Sequence, residues 1–583
     1  MAESPTTIHV KHTPSEDTIN STEKPSPHNA ASTHHDSPSP SGELPTAPSD
    51  ASLPPQDGSE FPSMAKIIPV MIAIYLTMFL IALDRTIIAT AIPRITDDFH
   101  SLGNIGWYGS SYLLTLCSFQ LVFGRVYTFY DPKWTLLTCI AIFEIGSTVC
   151  GAAPSSTAFI VGRAIAGLGA AGMQNGSIII ITRAIPLQKR PIFIGCMGAV
   201  FGIASVTGPL LGGVFTEHVS WRWCFYINLP VGAVAVTILV IILQVPPQAG
   251  DHDNRGLTFK AQLQKLDPLG TLVLLPGIIC LLLALQWGGS TYAWHNARII
   301  VLLILFILLS VAFIAIQIWK GDTATVPPHI FCQRSIVCAF AYIFCCMSAM
   351  LIFSFYIPIW FQAIKGVTPT KSGIDVLPMV IALVVASFIA GGFVQKVGYY
   401  APPMILSSII MPIAAGLLTT WQVNSGHAMW IGYQVLYGLG LGVGMQQATM
   451  VAQCVLGRKD VSSGVALMFF AQNLGGAIFV SVGQNVFANQ LVKSMSHIAG
   501  LDANEVVKTG ATNLRHVVKP ELLGAVLAGY NIAIRHAFYV GVAMSCMTIF
   551  GALGVEWKSI KGKNEGGPTA ESAQKTQEKD ESV

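Results

Sequence analysis

Long apolar runs, each about the length of a membrane-crossing helix, recur along most of this chain. A bilayer core about 30 Å thick needs about 20 helical residues at about 1.5 Å rise per residue. Runs of that length occur at fourteen places: 67–91, 106–126, 134–153, 157–182, 191–215, 223–245, 268–287, 298–319, 335–361, 373–395, 402–421, 428–453, 464–488 and 535–556. They lack the period-2 alternation of barrel strands, and a helix satisfies its own backbone hydrogen bonds in lipid. The pattern therefore predicts an all-α membrane protein with fourteen transmembrane helices.

Two segments differ from these runs. Residues 1–63 are rich in Ser, Thr, Pro and His and almost lack aromatic residues, which predicts a disordered tail because such a segment cannot offset the entropy lost on ordering. Residues 489–534 mix apolar and polar positions, which predicts short amphipathic helices on the outer face.

The distribution of lysine and arginine predicts the orientation of the helices. If the N-terminus is inside, the inner loops carry thirteen of these residues and the short outer loops carry five. Basic residues concentrate on the cytoplasmic side of membrane proteins. Both termini are therefore predicted to be cytoplasmic.

Composition narrows the classes of function. The chain has 583 residues, of which 52% are hydrophobic and 11% charged, with a mean hydropathy of +0.58, whereas soluble proteins carry about 25% charged residues. The basic residues are scattered, which argues against nucleic-acid binding.

The twelve cysteines form no C-x-x-C pair, so we interpret them as packing residues and expect no metal site. No phosphate-binding G-x-x-x-x-G-K-[ST] loop and no catalytic H-E-x-x-H or G-x-S-x-G motif occurs, which excludes an ATP-driven pump and argues against an enzyme or a cofactor.

A weak internal repeat relates the fourth run to the twelfth. Gly167–Gly169 followed by Gln174 matches Gly440–Gly442 followed by Gln447, a shift of 273 residues. Transporters built from duplicated helical bundles show such faint symmetry and bind substrate between the two halves.

Ionisable residues within the runs are few and lie in the first half. Away from the ends of the runs they are Asp84, Arg85, Glu144 and Arg163, and the position that the repeat matches to Arg163 is Leu436. Each such residue requires a partner or a watery cavity. Asp84 and Arg163 are candidates for a switch that binds a proton or a cationic substrate, the alternative being a structural ion pair. We expect Glu144 to face lipid or neighbouring helices, and Arg85 to extend outward.

The fifth run contains a flexible motif made of Gly208, Pro209, Gly212 and Gly213. Glycine allows helices to approach closely, and proline removes a backbone hydrogen bond. The motif predicts a hinge at a helix crossing, the alternative being a static packing groove.

Several segments together resemble the 14-span drug:proton antiporter branch of the major facilitator superfamily. The similar segments are Leu83–Pro93, Gly162–Arg163, Gly208–Gly213, Trp221–Pro230, Tyr356–Gln362, Ser372–Pro378 and Gln472–Gly476. They cover the body of the chain from 67 to 556, and the whole is similar to filamentous-fungal toxin efflux pumps.

The resemblance implies a fold and a mechanism. It implies proton-coupled export of small hydrophobic molecules, such as a secondary metabolite, a mycotoxin or a drug, by alternating access in a monomer of the plasma membrane. Asp84 and Arg163 would take part in coupling, and Gly208 and Pro209 would form the hinge. The implied parts are a cytoplasmic tail at 1–63, a six-helix bundle at 64–245, a cytoplasmic loop and inserted helix pair at 246–334, a second six-helix bundle at 335–557, and a cytoplasmic tail at 558–583.

One departure from the family pattern concerns the loop after the second run. The family usually places an Asp four residues after Gly124, whereas this chain has Thr128. The charge latch on the inner face is therefore missing, or is rebuilt around Arg125 and Asp131.

Polar and aromatic residues on the presumed cavity helices are candidates for substrate contact, since mostly apolar pockets with few polar groups suit bulky amphipathic ligands. The candidates are Trp107, Tyr112, Gln120, Gln174, Asn175, Tyr356, Trp360, Gln362, Gln447, Gln472 and Asn473. Two alternatives to export stay open at this point. One is a 14-span transporter for a siderophore or a basic amino acid, in the plasma membrane or an internal one, and the other is a non-transporting sensor.

Overall fold

The computed structural model describes residues 64–101, 105–244, 265–289, 292–496, 498, 518 and 520–561, so the predicted tail at 1–63 and most of the one at 558–583 lie outside it. The first helices are α1 (Met64–Phe99), α2 (Ile105–Phe129), α3 (Pro132–Ala152), α4 (Ser156–Ala184), α5 (Arg190–His218), α6 (Trp223–Tyr226), α7 (Asn228–Ile242), α8 (Pro268–Trp287) and α9 (Ala297–Lys320). The others are α10 (Pro328–Phe331), α11 (Arg334–Trp360), α12 (Pro369–Asp375), α13 (Leu377–Val397), α14 (Ala401–Leu418), α15 (His427–Gly444), α16 (Gln447–Val455), α17 (Val461–Met495) and α18 (Pro520–Gly554).

Twelve helical segments of the described residues are long and apolar enough to cross a membrane, and strand-like pairing there is limited to two isolated bridges. The all-α, multi-pass membrane class predicted from the sequence is confirmed. The twelve segments overlap twelve of the fourteen predicted runs. The other two runs are 106–126, which forms α2 and is rich in polar residues, and 428–453, which is divided between α15 and α16.

The helices that flank the predicted outer loop are longer than expected. The sequence placed this loop at 489–534, but α17 continues to Met495 and α18 already begins at Pro520. The extensions bury apolar side chains, including Leu491 and Val526, and this packing accounts for the added turns. Residues 499–517, where amphipathic helices were predicted, lie outside the described residues.

The long helices pack as two groups. The first group is α1 to α5 with α7, and the second is α11 with α13 to α18. The groups meet where α5 packs on α13 and where α17 packs on α2 and α4. Helices α8 and α9 pack on each other as a hairpin, and α8 also contacts α2 and α17.

Hydrogen bonds between helix ends define two faces of the molecule. At the first face, the end of α2 meets the start of α8 through Arg125, the start of α3 meets the end of α7 through Lys133, and the start of α11 meets the end of α18 through Arg334. Arg190, at the start of α5, binds the end of α4. We call this the basic face, and the opposite one the far face.

The α8–α9 hairpin is tied to both groups. At the far face, Ser110 on α2 donates to Gln286 Oε1 at 2.5 Å, and Trp294 Nε1 donates to Asn485 Oδ1 on α17 at 3.1 Å. At the basic face, Arg125 on α2 donates to the carbonyl of Thr323, just after α9, at 3.3 Å. The hairpin therefore lies across the seam between α2 and α17.

Candidate functional site

A buried ion pair joins α1 and α4 inside the first group of helices. Arg163 Nη1 lies 2.6 Å from Asp84 Oδ2, and both side chains are at most 1% exposed. Arg163 also donates from Nε to the carbonyl of Tyr108 at 3.0 Å, and its guanidinium lies 4.5 Å from the ring centre of Tyr112. A charge near the centre of a membrane helix costs about 2.5–3.5 kcal/mol on insertion scales. The two opposite charges and these contacts reduce that cost.

Small residues bring α4 close to its neighbours and so enclose Arg163. A Cβ atom at Gly167 would lie 2.2 Å from the carbonyl oxygen of Tyr112, and one at Gly169 would lie 2.5 Å from the backbone nitrogen of Phe143. The backbones of α4, α2 and α3 are therefore in direct contact. Arg163 lies seven residues after the start of α4, or about 10 Å from its far-face end.

Arg163 engages only one oxygen of the Asp84 carboxylate. The other oxygen, Oδ1, has no hydrogen-bond partner within the described part of the chain. Asp84 Oδ1 is therefore available to a further hydrogen-bond donor.

Arg85 points into the protein and does not extend to lipid as the sequence suggested. It shares one helical stripe of α1 with Ile81 and Ile88, which are 0% and 5% exposed. The side chain itself is half-buried and lies within the electrostatic field of Asp84 and Arg163. Together the three residues carry one excess positive charge.

Buried amides form a second polar layer, which reaches from one group of helices to the other. Gln120 Nε2 donates to Asn175 Oδ1, and Asn175 Nδ2 donates to the Gln120 carbonyl, each at 2.8 Å, so α2 is linked to α4. Asn473 on α17 donates to Gln174 Oε1 at 3.4 Å. This bond joins the two groups of helices.

Several amide atoms of this layer have no protein partner in the described residues. These atoms are Gln120 Oε1, Gln174 Nε2, Gln447 Oε1 and Asn473 Oδ1. Within the part of the chain that the structure describes, Gln447 otherwise donates to a carbonyl of its own turn, at 3.3 Å. Gln472 is buried beside Asn473. A buried polar atom without a partner costs about 1–3 kcal/mol. Such atoms are suited to a ligand that carries hydrogen-bonding groups.

Three of the predicted aromatic contacts lie in the interior. Trp107 is half-buried near the far face, and its ring packs edge-to-face on Trp287 with centroids 6.1 Å apart. Tyr112 and Tyr356 are buried, and neither hydroxyl has a hydrogen-bond partner in the described parts of the chain. The two hydroxyls, like the free amide atoms, are available to a ligand.

The remaining two predicted contacts are engaged by protein neighbours. Trp360 Nε1 donates to Asn531 Oδ1 at 2.8 Å, and Asn531 Nδ2 donates to the carbonyl of Trp421 at 3.0 Å. Gln362 Nε2 donates to Ser372 Oγ at 3.0 Å. These bonds fix the far-face end of α11 against α18 and the start of α12.

The glycine motif of α5 lies directly against α1. A Cβ atom at Gly208 would lie 2.1 Å from Thr86 Oγ1, and one at Gly212 would lie 2.7 Å from the carbonyl oxygen of Ile87. A Cβ atom at Gly213 would have 3.9 Å to its nearest neighbour. Two of the three glycines are therefore required by the close approach of the two helices.

Pro209 lies inside α5. Helix α5 packs on α1 on both sides of this residue, since Tyr75 donates to the Phe193 carbonyl at 3.0 Å nearer the basic face and Gly212 lies against Ile87 beyond it. Nearer the basic face α5 also packs on α13, where a Cβ atom at Gly195 would lie 2.8 Å from the Ser387 carbonyl. Because proline lacks the N–H that would continue the ladder, bending is easiest at Pro209.

Hydroxyl groups and small residues close the basic face between the two groups. Thr128 Oγ1 and Ser462 Oγ are 2.7 Å apart, which joins the end of α2 to the start of α17. A Cβ atom at Gly124 would lie 2.4 Å from Ala466 Cβ. Thr128, at the position where the family usually has an acid, thus contributes a neutral contact between the groups.

Arg125 and Asp131, the predicted substitutes for the latch, have separate partners. Arg125 Nη2 donates to the carbonyls of Lys265 and Thr323 at 3.2 and 3.3 Å, which ties α2 to both ends of the hairpin at this face. Asp131 accepts a hydrogen bond from the backbone of Trp134 and caps α3.

A buried carboxylate that sequence reasoning missed organises the same face. Asp267 caps α8 by accepting from Gly270 N at 2.9 Å, and it pairs with Lys320 Nζ on α9 at 2.8 Å. Gln317 and Thr325 donate to its other oxygen. Burial alone would raise the pKa of Asp267, but the hydrogen bonds from Lys320 and the other donors outweigh it and lower the pKa to about 2. The sequence signal was an Asp-Pro pair at a helix start.

Comparison with known proteins gives consistent results. The family model described as Major Facilitator Superfamily matches residues 74–480. The MFS-type efflux pump MFS1 of Arthroderma benhamiae is 54% identical over 485 residues, which are 83% of this chain and 90% of that protein. The rubrofusarin-specific efflux pump aurT of Gibberella zeae is 50% identical over 484 residues, 83% of this chain and 88% of that protein. The structure of the proton:xylose symporter XylE, 14% identical, superposes with a TM-score of 0.53 over 85% of this chain and 98% of that one.

Proposed function

Since the chain belongs to the Major Facilitator Superfamily, we propose that it exports small hydrophobic molecules in exchange for protons. Two relatives with about half of their residues identical are named efflux pumps, and one of these is named as specific for rubrofusarin. The cargo is a fungal secondary metabolite, a mycotoxin or a drug of similar size. The protein acts as a monomer, without a cofactor, and is not an enzyme.

The proposed topology has fourteen spans. It adds α2 and the broken helix α15–α16 to the twelve helices that are long and apolar enough to cross a membrane. In this topology α8 and α9 form an inserted pair between two six-helix bundles. The basic face is cytoplasmic, as are both termini, because basic residues concentrate on that side of membrane proteins. The membrane is the plasma membrane.

The Asp84–Arg163 pair is the observation that carries the coupling proposal. In its charged state the pair holds α1 to α4, and a proton on Asp84 loosens this link. The groups are in contact at the basic face through Thr128 and Ser462, so a proton from outside reaches Asp84 while that face is closed. The protonated state then reorients about the α5 hinge formed by Gly208, Pro209, Gly212 and Gly213, and the proton is released to the cytoplasm.

The cargo binds between the two groups, at the level of the amide layer. The atoms without protein partners are its hydrogen-bonding sites, and Trp107, Tyr112 and Tyr356 supply apolar contact area. Gln472 and Asn473 on α17 contribute the other wall of the site. The polar atoms of Trp360 and Gln362 are hydrogen-bonded to neighbouring residues. These two residues therefore affect cargo binding indirectly, because they fix the position of the far-face end of α11.

The coupling proposal is tested by neutralising Asp84. We expect Asp84→Asn to reduce proton-driven efflux at least tenfold in proteoliposomes loaded with rubrofusarin, with unchanged yield of folded protein. Asp97→Asn is the matched control, because Asp97 lies on the same helix and is exposed. Efflux by Asp84→Asn that responds to the pH gradient as the parent protein does would show that coupling lies elsewhere.

A further inference from the structure

Helix α3 carries a carboxylic acid inside the membrane that the coupling scheme does not use. Both carboxylate oxygens of Glu144 are inaccessible, and neither has a hydrogen-bond partner in the segments that the structure describes. The carboxyl group lies over Gly232 on α7, where a Cβ atom would be 2.0 Å from Oε1. The glycine therefore provides the space that this group occupies. The sequence predicts that Glu144 faces lipid or neighbouring helices, and the structure places its carboxyl group between α3 and α7.

The polar groups around this space are short of hydrogen-bond donors. Asn228, one turn before Gly232, donates from Nδ2 to Ser147 Oγ at 3.1 Å, while its Oδ1 has no partner in the described residues. The atoms without partners are thus three oxygens. An ionised carboxylate only accepts hydrogen bonds, whereas a protonated one supplies a donor. The geometry favours a protonated Glu144.

The charges around Glu144 lead to the same state. Helices α4, α6 and α7 pack on α3, and α7 contains no ionisable residue. Tyr226 on α6 contacts α3 at Gly151, and the charged group that acts on Glu144 is Asp84 on α1. The nearby cations, Arg163 on α4 and Arg85 on α1, interact with Asp84. Glu144 itself has no ion-pair partner in the described residues, and the Asp84 carboxylate repels its ionised form.

Glu144 lies at the depth of the coupling pair. It precedes Ala152, the last residue of α3, by eight residues or about 12 Å. Arg163 lies about 10 Å from the same face. Water that enters from the far face and reaches the ion pair would thus penetrate to the level of Glu144 as well.

We propose that Glu144 is a second proton-binding residue of the transport cycle, which holds a proton while Asp84 is ionised and paired with Arg163. When Asp84 gains a proton its negative charge disappears. The O–H bond of Glu144 then breaks, the proton passes to water in the opened cleft, and a carboxylate remains. Because the two carboxylates repel each other, they are ionised in alternation. This inference rests on the proton coupling proposed above.

Infrared difference spectroscopy of the purified full-length protein tests the proposal without a cargo. The carbonyl stretch of a protonated carboxylic acid is recorded at several pH values for the parent protein, Glu144→Gln and Asp84→Asn. We expect a band at neutral pH that Glu144→Gln removes, that declines at alkaline pH, and that is weaker at neutral pH in Asp84→Asn because the repulsion is gone. A spectrum of Glu144→Gln identical to that of the parent would overturn the proposal, as would a band insensitive to both pH and Asp84.

A backbone variant checks the location of the group without altering the acid. Gly232→Ala places a methyl group where the carboxyl group lies, so we expect the band to shift or disappear. Gly416→Ala is the control, because a Cβ atom at Gly416 has nothing within 4 Å. Equal spectra for the two variants would show that the band arises elsewhere. The result is separate from the coupling test: normal proton-driven efflux by Asp84→Asn would refute the coupling role while leaving a titrating Glu144 in place.

Discussion

The contact between α5 and α1 can be tested with two adjacent glycines of one motif. In Gly212→Ala, the new Cβ atom would lie 2.7 Å from the Ile87 carbonyl oxygen, a backbone atom. Ordinary contact begins at 3.4 Å, so the two backbones must part by about 0.7 Å. Overpacking of this kind costs about 1–3 kcal/mol, against a gain of about 1 kcal/mol from replacing a helical glycine. We expect a net destabilisation of up to about 2 kcal/mol.

Gly213→Ala is the matched control, because its Cβ atom would be 3.9 Å from the nearest neighbour, Thr370 Oγ1. Thermal unfolding of the detergent-purified proteins and efflux from proteoliposomes are measured side by side. We expect Gly212→Ala to unfold at a lower temperature and to export several-fold more slowly, and Gly213→Ala to match or exceed the parent in stability. Equal stability and equal efflux of the two variants would refute the argument that close helix approach controls this crossing.

Two further predictions concern the basic face. Thr128→Val keeps the shape of the side chain but removes its hydrogen bond with Ser462. Since such a bond contributes about 0.5–1.5 kcal/mol, we expect the population to shift roughly two- to tenfold toward a state that is open at the basic face. The shift is measured as the distance distribution between spin labels on α2 and α17, and an unchanged distribution would contradict the prediction. Asp267→Asn should lower the free energy of unfolding by about 1.5–3 kcal/mol, because Lys320 loses its charged partner. Since the pKa of Asp267 is lowered to about 2, this stabilisation is complete above about pH 4 and declines as the pH falls toward 2. The prediction would be refuted if the variant and the parent protein already had equal free energies of unfolding at pH 6.

The helical content and most of the spans could be predicted because each depends on local composition. A continuous apolar run of about 20 residues identifies a membrane helix without reference to any other part of the chain. The ends of α17 and α18 were missed because their extra turns are stabilised by side chains such as Leu491 and Val526, which are buried by tertiary packing. No local pattern reports such contacts.

The Asp84–Arg163 ion pair was predictable for a different reason. An acid and a base within apolar runs are so costly when apart that a contact between Asp84 and Arg163 was the simplest expectation. The bonds between Thr128 and Ser462 and between Gln174 and Asn473 join residues about 300 positions apart through small neutral groups. The energetic cost of burying a single hydroxyl or amide group does not indicate which residue it will bond to.

The position of the α8–α9 hairpin constrains how the protein can move. A hairpin that is bonded to both groups of helices cannot move with both of them when the groups rotate apart. The hairpin is linked to α2 by Arg125, which donates to two backbone carbonyls of the hairpin, and by Ser110, which donates to Gln286. At the far face it is linked to α17 by the hydrogen bond from Trp294 to Asn485. If the two groups of helices rotate against each other as proposed, we expect the hairpin to move with α2 and the Trp294–Asn485 bond to break and reform.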